Sequence, residues 1–392
     1  MPPMNKLSTT TNPAPAALVQ LRIAVTMFFA LGGFLFAGWA VRIPAIKDQT
    51  AATPGALGLA LFAMTGSAVA TMSVAGSICQ RFGSRQVTIA TAALLSVSVV
   101  LPTFTHSALT LGLSLLLFGV AYGGIDVAVN SVAIDLVEAM ERPVMPSLHA
   151  ANSLGSLAGA GLGGLLASHL SPTAHMLLLA PVGLLATAWF GRVLLAHPLP
   201  SSHTDDGATG LRLPKFTSGV LLFGLIGLCA AYSQGALDSW VPLHLSDDLG
   251  AGQGLAAAGY AVVQGTMTVG RLSGVRLLER LGQTKVVVIG GALACAGTLV
   301  AALSPDLPLA FAGLAATGLG LANIFPVAMA RAGQLGGPNG VAVASTLGYG
   351  GILLAPPTIG FLAGEVGLPV ALSLIAFMVA AAATIGFVVR NR

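Results

Sequence analysis

Charged side chains are scarce in this sequence. Of its 392 residues only 8% are Asp, Glu, Lys or Arg, whereas 55% are hydrophobic, and the mean hydropathy is +0.88. An ordinary soluble domain carries about 25% charged residues, so this chain has too few of them to cover a water-exposed surface. The shortage excludes a soluble globular enzyme, a disordered chain and a nucleic-acid-binding protein. We expect a protein that lies in a lipid bilayer.

Cysteines are few, and common motifs for ATP binding and for hydrolysis are absent. The three cysteines, Cys79, Cys229 and Cys295, lie far apart in or beside apolar segments, which argues against a disulfide framework or a metal site. The sequence contains no Walker-type motif for ATP, no His-Glu-x-x-His and no Gly-x-Ser-x-Gly. We therefore expect neither ATP-driven transport nor an enzyme, and we expect no cofactor.

Long apolar runs are abundant by contrast. Twelve windows are each long enough to cross a hydrocarbon core of roughly 30 Å, and most are separated by short segments rich in turn residues. The windows fall at about 20–43, 55–79, 86–104, 108–137, 147–169, 174–195, 216–244, 254–278, 285–303, 307–331, 341–364 and 369–389.

The one long break divides these windows into two sets of six. This division predicts a cytoplasmic tail at 1–19, a first bundle at 20–196, a central cytoplasmic loop at 197–215 and a second bundle at 216–392. With the N-terminus placed inside, nearly all Lys and Arg lie on or near the cytoplasmic side, and only Arg42 and Lys47 lie outside. Because basic residues concentrate on the cytoplasmic side of membrane proteins, we expect both termini there.

Short motifs recur in the two sets of windows. Gln-Arg-Phe-Gly at 80–83, after the second window, matches Glu-Arg-Leu-Gly at 279–282, after the eighth, 199 positions later. Gly119 and Gly318 have the same spacing. Two parallel repeats of six helices are typical of secondary transporters, whose pathway lies between the halves.

The fourth window places a carboxyl group inside a membrane span. Asp126 shares one helix face with Tyr122 and Asn130, because the three follow at four-residue spacing. A charge in the hydrocarbon costs about 3 kcal/mol or more unless it faces protein, water or a partner. A carboxyl group shielded from water can also exist in its neutral form, as a reversible proton carrier requires. Asp126 is therefore our candidate for proton coupling, and a structural carboxylate is the alternative.

Further polar residues interrupt other windows. On the fifth, His149 and Asn152 belong to a polar stripe that can face the same cavity as Asp126. Single amides in the other windows suit either hydrogen bonding to a hydroxylated solute or the joining of helices. The candidate residues for the substrate cavity are Trp39, Tyr122, Asn130, His149, Asn152, Gln234, Gln264 and Asn323.

A charged pair is a candidate for closing the pathway on the outside. Arg42, near the end of the first window, has a depth matching that of Asp238, near the outer end of the seventh. We expect an ion pair between Arg42 and Asp238, with a solvated or capping role for Asp238 as the alternative.

Residues 76–85 resemble the helix 2–3 motif of the major facilitator superfamily, Gly-x-Leu-Ala-Asp-Arg-x-Gly-Arg-Arg, with Gln80 in place of the usual Asp. Residues 279–282 resemble its second copy. The resemblance implies an all-α membrane protein with twelve transmembrane helices in two pseudo-symmetric six-helix bundles. It also implies a monomer in the inner membrane of a bacterium. The gating residues it implies are Arg81, Gly83, Arg85, Glu279, Arg280 and Gly282.

Within that superfamily, residues 126–130 and 152–155 are similar to the fucose permease branch, whose helix 4 acid and helix 5 Asn take part in proton-coupled sugar binding. The similarity implies that Asp126 takes up and releases the coupled proton and that Asn130 and Asn152 belong to the substrate cavity. The expected partners are then a small polar solute, protons and the lipid bilayer, with no nucleic acid. Proton-driven efflux of drugs or amphipathic metabolites is the alternative, and a receptor that transports nothing is a third hypothesis.

Overall fold

The computed structural model describes residues 15–142, 144–197 and 218–389, so most of the predicted tail and central loop lies outside the described residues. The described residues form thirteen α-helices and one 3-10 helix, Leu101–Phe104. In lipid every backbone N–H and C=O must bond within the protein, which favours helices. The α-helices are α1 Pro15–Ala40, α2 Ile43–Thr50, α3 Pro54–Phe82, α4 Ser84–Ser98, α5 Ala108–Met140, α6 Met145–Ala167, α7 Pro172–Ala196, α8 Ser218–Asp247, α9 Gln253–Leu272, α10 Gly274–Leu303, α11 Leu307–Leu321, α12 Ile324–Val366 and α13 Leu368–Val388.

Ten helical segments in the described part of the chain are long and apolar enough to cross a membrane. Of the twelve predicted windows, those without such a segment are the fifth and eighth, which correspond to α6 and α9. These two helices come from different halves of the chain and pack against each other. A helix that faces another helix and water does not need an apolar surface all round. Their lower hydropathy fits their position at the contact between the two halves.

Several helix starts follow from the local sequence. Thr53 precedes Pro54 and accepts a hydrogen bond from the N–H of Ala56, and Ser171 precedes Pro172 and does the same for Ala174. Ser107 and Thr110 form a reciprocal capping box at the start of α5. Ser and Thr satisfy the free N–H groups of a first turn, and Pro fits the first helical position. These caps fix where α3, α5 and α7 begin.

Three details differ from the predicted windows. The short helix α2 occupies part of a segment expected to be a turn, and it ends at Ala51 in the left-handed conformation. The eighth window ends early, at Leu272. The tenth is interrupted between α11 and α12, where the Asn323 amide donates to the backbone oxygen of Gly270 at 2.9 Å. Tertiary contacts of this kind interrupt helices that an apolar run predicts to be continuous.

The two copies of the repeated motif share a backbone geometry. Gly83 has a φ of 86° between α3 and α4, and Gly282 has a φ of 77° at a kink within α10. A residue with a side chain is strained in this region, whereas glycine enters it freely. The same turn therefore follows the second and eighth predicted windows, as the 199-residue spacing predicts.

Glycines let helices of the N-terminal half pack closely. A Cβ added at Gly155 or Gly159 of α6 would overlap the backbone of α1 at Ala30 or Phe34. On α5, a Cβ at Gly119 would overlap the backbone of Met64 in α3. Small residues at such crossings give the close van der Waals contact on which helix association in membranes depends. This packing holds α5, which carries Asp126, firmly against α3.

The two halves meet at one end of the molecule, which we call the closed end. There Lys47 and Asp247 form an ion pair across the halves at 2.5 Å. Gly58 of α3 packs against Pro356 and Gly360 of α12, and Gly164 of α6 packs against α9.

At the opposite end, which we call the open end, α3 is exposed on several sides. Ser73, Val74, Gly76, Ser77 and Ile78 are all exposed there. Successive helical residues point in different directions, so α3 is uncovered on several sides near its end, which we interpret as a separation of the halves. The interior is therefore accessible from the open end.

Candidate functional site

A cluster of polar residues joins the two halves between the closed and open ends. Tyr122 of α5 interacts electrostatically with Asp126 on its own helix, with Asp238 of α8 and with Tyr349 of α12. Tyr260 of α9 interacts with both Tyr122 and Asp238. We call these five residues the central cluster. Because α5 and the other three helices come from different halves, a group bound in this cluster contacts both.

Asp126 lies in the central cluster without a hydrogen bond or ion pair to its carboxylate from the residues that the structure describes. Its neighbours Tyr122 and Tyr349 interact with it electrostatically. Asn130, one turn along α5, donates to the backbone oxygen of Asp126 at 2.8 Å. The expected shared face of Tyr122, Asp126 and Asn130 is therefore present, but the amide nitrogen of Asn130 bonds to its own helix.

Asp238 is the second carboxylate of the cluster. It accepts a hydrogen bond from Nε2 of Gln264 at 2.7 Å, and the same nitrogen lies 3.2 Å from the Tyr260 hydroxyl. It also interacts electrostatically with Arg271. Sequence reasoning placed Asp238 near the outer surface, and this placement was wrong. Asp238 lies nine residues before Asp247 of the closed-end ion pair, which is roughly 13 Å of helix.

The predicted ion pair between Arg42 and Asp238 is also wrong for this structure. Arg42 is only 1% exposed and donates through Nε to Nδ1 of His175 at 3.0 Å. Its Nη1 donates to Gln253 across the halves at 3.2 Å. Arg42 stays at the closed end because α2 turns away directly after it, while Asp238 lies too deep in α8 to reach it. Lys47 and Asp247 form the ion pair across that end instead.

Arg271 is a candidate residue of the substrate cavity that the sequence analysis did not identify. Its Nη2 donates to Oε1 of Gln234 at 3.3 Å, and its charge interacts with Asp238 and with His149 of the other half. Its position along the sequence predicts a basic residue on or near the cytoplasmic side. One signal in the sequence could have identified it, because Tyr260, Gln264 and Arg271 follow at spacings of four and seven and share a helix face.

The remaining cavity candidates fall into two groups. His149 is exposed and meets the ring of Phe29 edge-on at 5.1 Å, near Arg271. Asn152 and Asn323 instead join helices, since their amide nitrogens donate to the backbone oxygens of Phe29 and Gly270. Trp39 is 2% exposed and packs against Phe36 and Phe118. His149 therefore faces the space between the halves, while the two asparagines and Trp39 have packing contacts.

The motif residues implied in gating lie at the open end. Arg81 is exposed, with its guanidinium 5.3 Å from the centre of the Phe82 ring, and Glu279 and Arg280 are also exposed. Arg85 donates to the backbone oxygens of Leu194 and His197 at 3.3 and 3.4 Å. A cation at the end of a helix is favoured by the unpaired carbonyls there. Arg85 thus ties the start of α4 to the end of α7.

The described residues contain no group of three or more His, Cys, Asp or Glu that could hold a metal ion. The three cysteines are free, and two of them are buried. The polar chemistry between the halves therefore comes from carboxylates, amides, tyrosines, the His149 imidazole and the Arg271 guanidinium.

Comparison with known proteins identifies the family. Residues 23–330 and 223–392 match the family model described as Major Facilitator Superfamily. The chain belongs to the major facilitator superfamily. Its relatives include an uncharacterised transporter, y4wD, of Sinorhizobium fredii, which is 34% identical over 342 residues, or 86% of this chain and 89% of that protein. The membrane protein MosC of Rhizobium meliloti is 31% identical over 368 residues, or 93% of this chain and 88% of that protein.

Solved structures of the superfamily share the fold at low identity. The nucleoside transporter NupG superposes with a TM-score of 0.71 at 13% identity, over 96% of this chain and 99% of that one. A bacterial homologue of the lysosomal transporter Spinster, in an inward-facing and unoccupied conformation, gives a TM-score of 0.75 at 14% identity, over 97% and 98%. The expected superfamily and its twelve-helix fold are confirmed, and membership indicates membrane transport. The fucose permease branch stays a prediction.

Proposed function

We propose that this protein is a secondary active transporter of a small polar solute, coupled to protons through Asp126. The observation that carries the proposal is the position of Asp126, in a cluster that joins both halves. A carboxylate inside a membrane span normally belongs to a solute or proton pathway. Without a hydrogen bond or ion pair among the described residues, its carboxyl group is not committed to a structural contact.

Alternating access follows from the contrast between the two ends. The halves contact each other at the closed end through Lys47 with Asp247 and through Arg42 with Gln253, and they separate at the open end. In transporters with two repeats, rocking of one half against the other moves this opening from one side to the other. With the termini inside a bacterial inner membrane, as Lys and Arg positions favour, this structure is open to the cytoplasm. The proposed gate contacts at the closed end then break when the protein opens outwards.

The chemistry between the halves favours a polar solute over a large apolar drug. Gln234, Gln264, Tyr122 and Tyr349 offer amides and hydroxyls, which hydrogen-bond hydroxylated solutes such as sugars. The nearby aromatic rings of Trp39 and Phe118 are buried against each other and contribute packing. The resemblance of α5 and α6 to the fucose permease branch supports the same class of solute. One chain contains both halves, which fits a monomer.

The test uses Asp126→Asn, with Glu138→Gln as a control that removes an exposed carboxylate from the same helix. A panel of sugars and their derivatives first identifies a solute that raises the melting temperature of the purified protein. Proteoliposomes are then given an inward proton gradient of about one pH unit, which can drive roughly tenfold accumulation with one proton per solute, because about 1.4 kcal/mol is a factor of ten.

We expect wild type and Glu138→Gln to accumulate the solute and Asp126→Asn only to equilibrate it, with exchange of labelled for unlabelled solute retained. Retained accumulation in Asp126→Asn would overturn the assignment. Growth of an expressing strain on a drug panel tests the efflux alternative, since protection from drugs without uptake of any polar solute favours it.

A further inference from the structure

Arg271 faces the space between the two halves rather than the outer surface of the protein. It is exposed to solvent, yet it interacts with Gln234 and Asp238 of α8 and with His149 of α6 in the other half. The turn at Gly282 follows eleven residues later, after the break between α9 and α10. A guanidinium that is exposed and yet close to both halves points into the space between them.

The Arg271 guanidinium makes few contacts with the rest of the protein. Its one hydrogen bond among the described residues is the contact to the Gln234 amide at 3.3 Å, the long end of the normal range. No carboxylate of the described residues lies within 4.0 Å of the guanidinium. The ion pairs found in that part of the chain join Lys47 to Asp247 and His244 to Asp248. Asp238 is close enough to interact electrostatically, but Gln264 holds its carboxylate at 2.7 Å. Most of the donors of Arg271 are therefore available to a ligand.

The geometry of a guanidinium determines what that ligand is. Its five N–H donors form a rigid planar fork, which matches the two oxygens of a carboxylate and binds them with two parallel hydrogen bonds. The neutral amide of Gln234 can donate a further hydrogen bond from its nitrogen, while its oxygen accepts from Arg271. A doubly charged phosphate ester fits less well, because Asp238 lies near the guanidinium and repels the second negative charge.

We infer that Arg271 binds a carboxylate of the transported solute, so that the substrate class is small hydroxylated acids, such as sugar acids. This inference rests on the proposed function and narrows it. The solute enters from the open end, its carboxylate pairs with Arg271, and its hydroxyls reach the amides and tyrosines between the halves. The proton site at Asp126 belongs to the other half, so that a bound solute connects the two halves.

The experiment measures binding to the purified full-length protein in detergent, by thermal stabilisation and by isothermal calorimetry. The probes are glucuronate, galacturonate and gluconate, each beside its neutral parent sugar, with lactate as a smaller acid and glucose 6-phosphate as the phosphate arm. We expect at least one of these carboxylates to bind at least tenfold more tightly than its neutral counterpart and than glucose 6-phosphate.

Variants connect that binding to Arg271. Arg271→Gln removes the charge and should weaken binding of the acid at least tenfold, while Arg276→Gln, an exposed arginine five residues later, removes the same charge without effect. Gln234→Glu places a carboxylate beside the guanidinium and should also weaken binding, through competition for Arg271. A circular dichroism spectrum and a melting temperature equal to those of wild type show that the variants are folded.

Three results would overturn the inference. They are tighter binding of neutral sugars or of the phosphate ester, equal binding of the acid to wild type and Arg271→Gln, and no binding of any carboxylate in the panel. None of these contradicts proton coupling, since a neutral solute accumulated through Asp126 would leave the proposed function intact. Conversely, accumulation by Asp126→Asn with loss of acid binding in Arg271→Gln would contradict the proton site and support the anion site.

Discussion

The two carboxylates of the central cluster lie close together but have different surroundings. Asp238 accepts a hydrogen bond from Gln264 and lies near Arg271, whereas Asp126 has tyrosines nearby and no hydrogen bond to its carboxylate among the described residues. Donors and positive charge favour the charged form of a carboxylate. On this difference we base the proposed division of roles, in which Asp126 exchanges protons and Asp238 sets the charge around Arg271 and Gln264.

The helices carrying the two acids are also packed differently, and this gives the largest expected effect on stability. Gly123 and Gly235 each lie three residues before their acid. A Cβ at Gly123 would overlap the backbone of Ala68, whereas a Cβ at Gly235 would lie 3.4 Å from Cα of Ile352, an ordinary contact. We predict that Gly123→Ala lowers the free energy of unfolding by about 1–3 kcal/mol.

Gly235→Ala is the matched control, because it adds the same methyl group at a looser crossing. It should leave stability unchanged or raise it by up to ~1 kcal/mol through helix propensity. Thermal unfolding of the two variants in the same detergent compares them. Equal losses would show that α5 and α8 are equally constrained.

A smaller effect is expected when the charge of Asp238 is removed. Asp238→Asn keeps an oxygen that can accept from Gln264 but removes a negative charge near Arg271. We predict that a sugar acid then binds several-fold more tightly, in line with roughly 1 kcal/mol of lost Coulomb repulsion, and that proton-driven accumulation continues. Calorimetry and the proteoliposome assay measure these two quantities. Loss of accumulation in Asp238→Asn would reverse the roles of the two acids.

The smallest effect is expected at the closed end, away from both acids. The Lys47 and Asp247 side chains are 18% and 31% exposed, and exposed ion pairs contribute about 0.2–1 kcal/mol. Lys47→Glu should therefore increase the fraction of molecules in which the halves have separated at the closed end, by up to about fivefold. Proton coupling should be retained. Distances between spin labels at Asp48 and Gly252, both exposed, report this population.

The double variant Lys47→Glu with Asp247→Lys restores opposite charges across the closed end. It should return the label distances towards those of wild type. If the single and double variants behave alike, the pair does not hold this end closed. If Lys47→Glu also loses proton-driven accumulation, coupling depends on more than Asp126.

The sequence was sufficient to predict what depends on hydrophobicity and local turns. Apolar runs located the spans, the repeated motif located the turns at Gly83 and Gly282, and the scarcity of acids in the spans indicated Asp126. The sequence was not sufficient to predict where a side chain lies when its location depends on the rotation and depth of its helix. Arg271 counts as a surface charge by position along the chain, and only the packing of α9 against α6 and α8 places it between the halves.

The depth of Asp238 was misjudged for the same reason. An apolar window gives the length of a helix but not the level at which its partner helix crosses it, so Arg42 and Asp238 looked close in depth. In the structure α8 continues to Asp247 and α2 adds a further helix after Arg42. The ion pair across the halves therefore forms nearer the surface of the closed end, between Lys47 and Asp247.

The central claim is that Asp126 carries the coupled proton, and the proton movement driven by solute tests it most directly. Proteoliposomes containing a pH-sensitive dye receive a solute that binds the protein, with no imposed proton gradient. We predict that solute entry acidifies the lumen for wild type and Glu138→Gln, and that solute enters without acidification for Asp126→Asn. Acidification by Asp126→Asn with the same ratio of protons to solute as wild type would contradict the account.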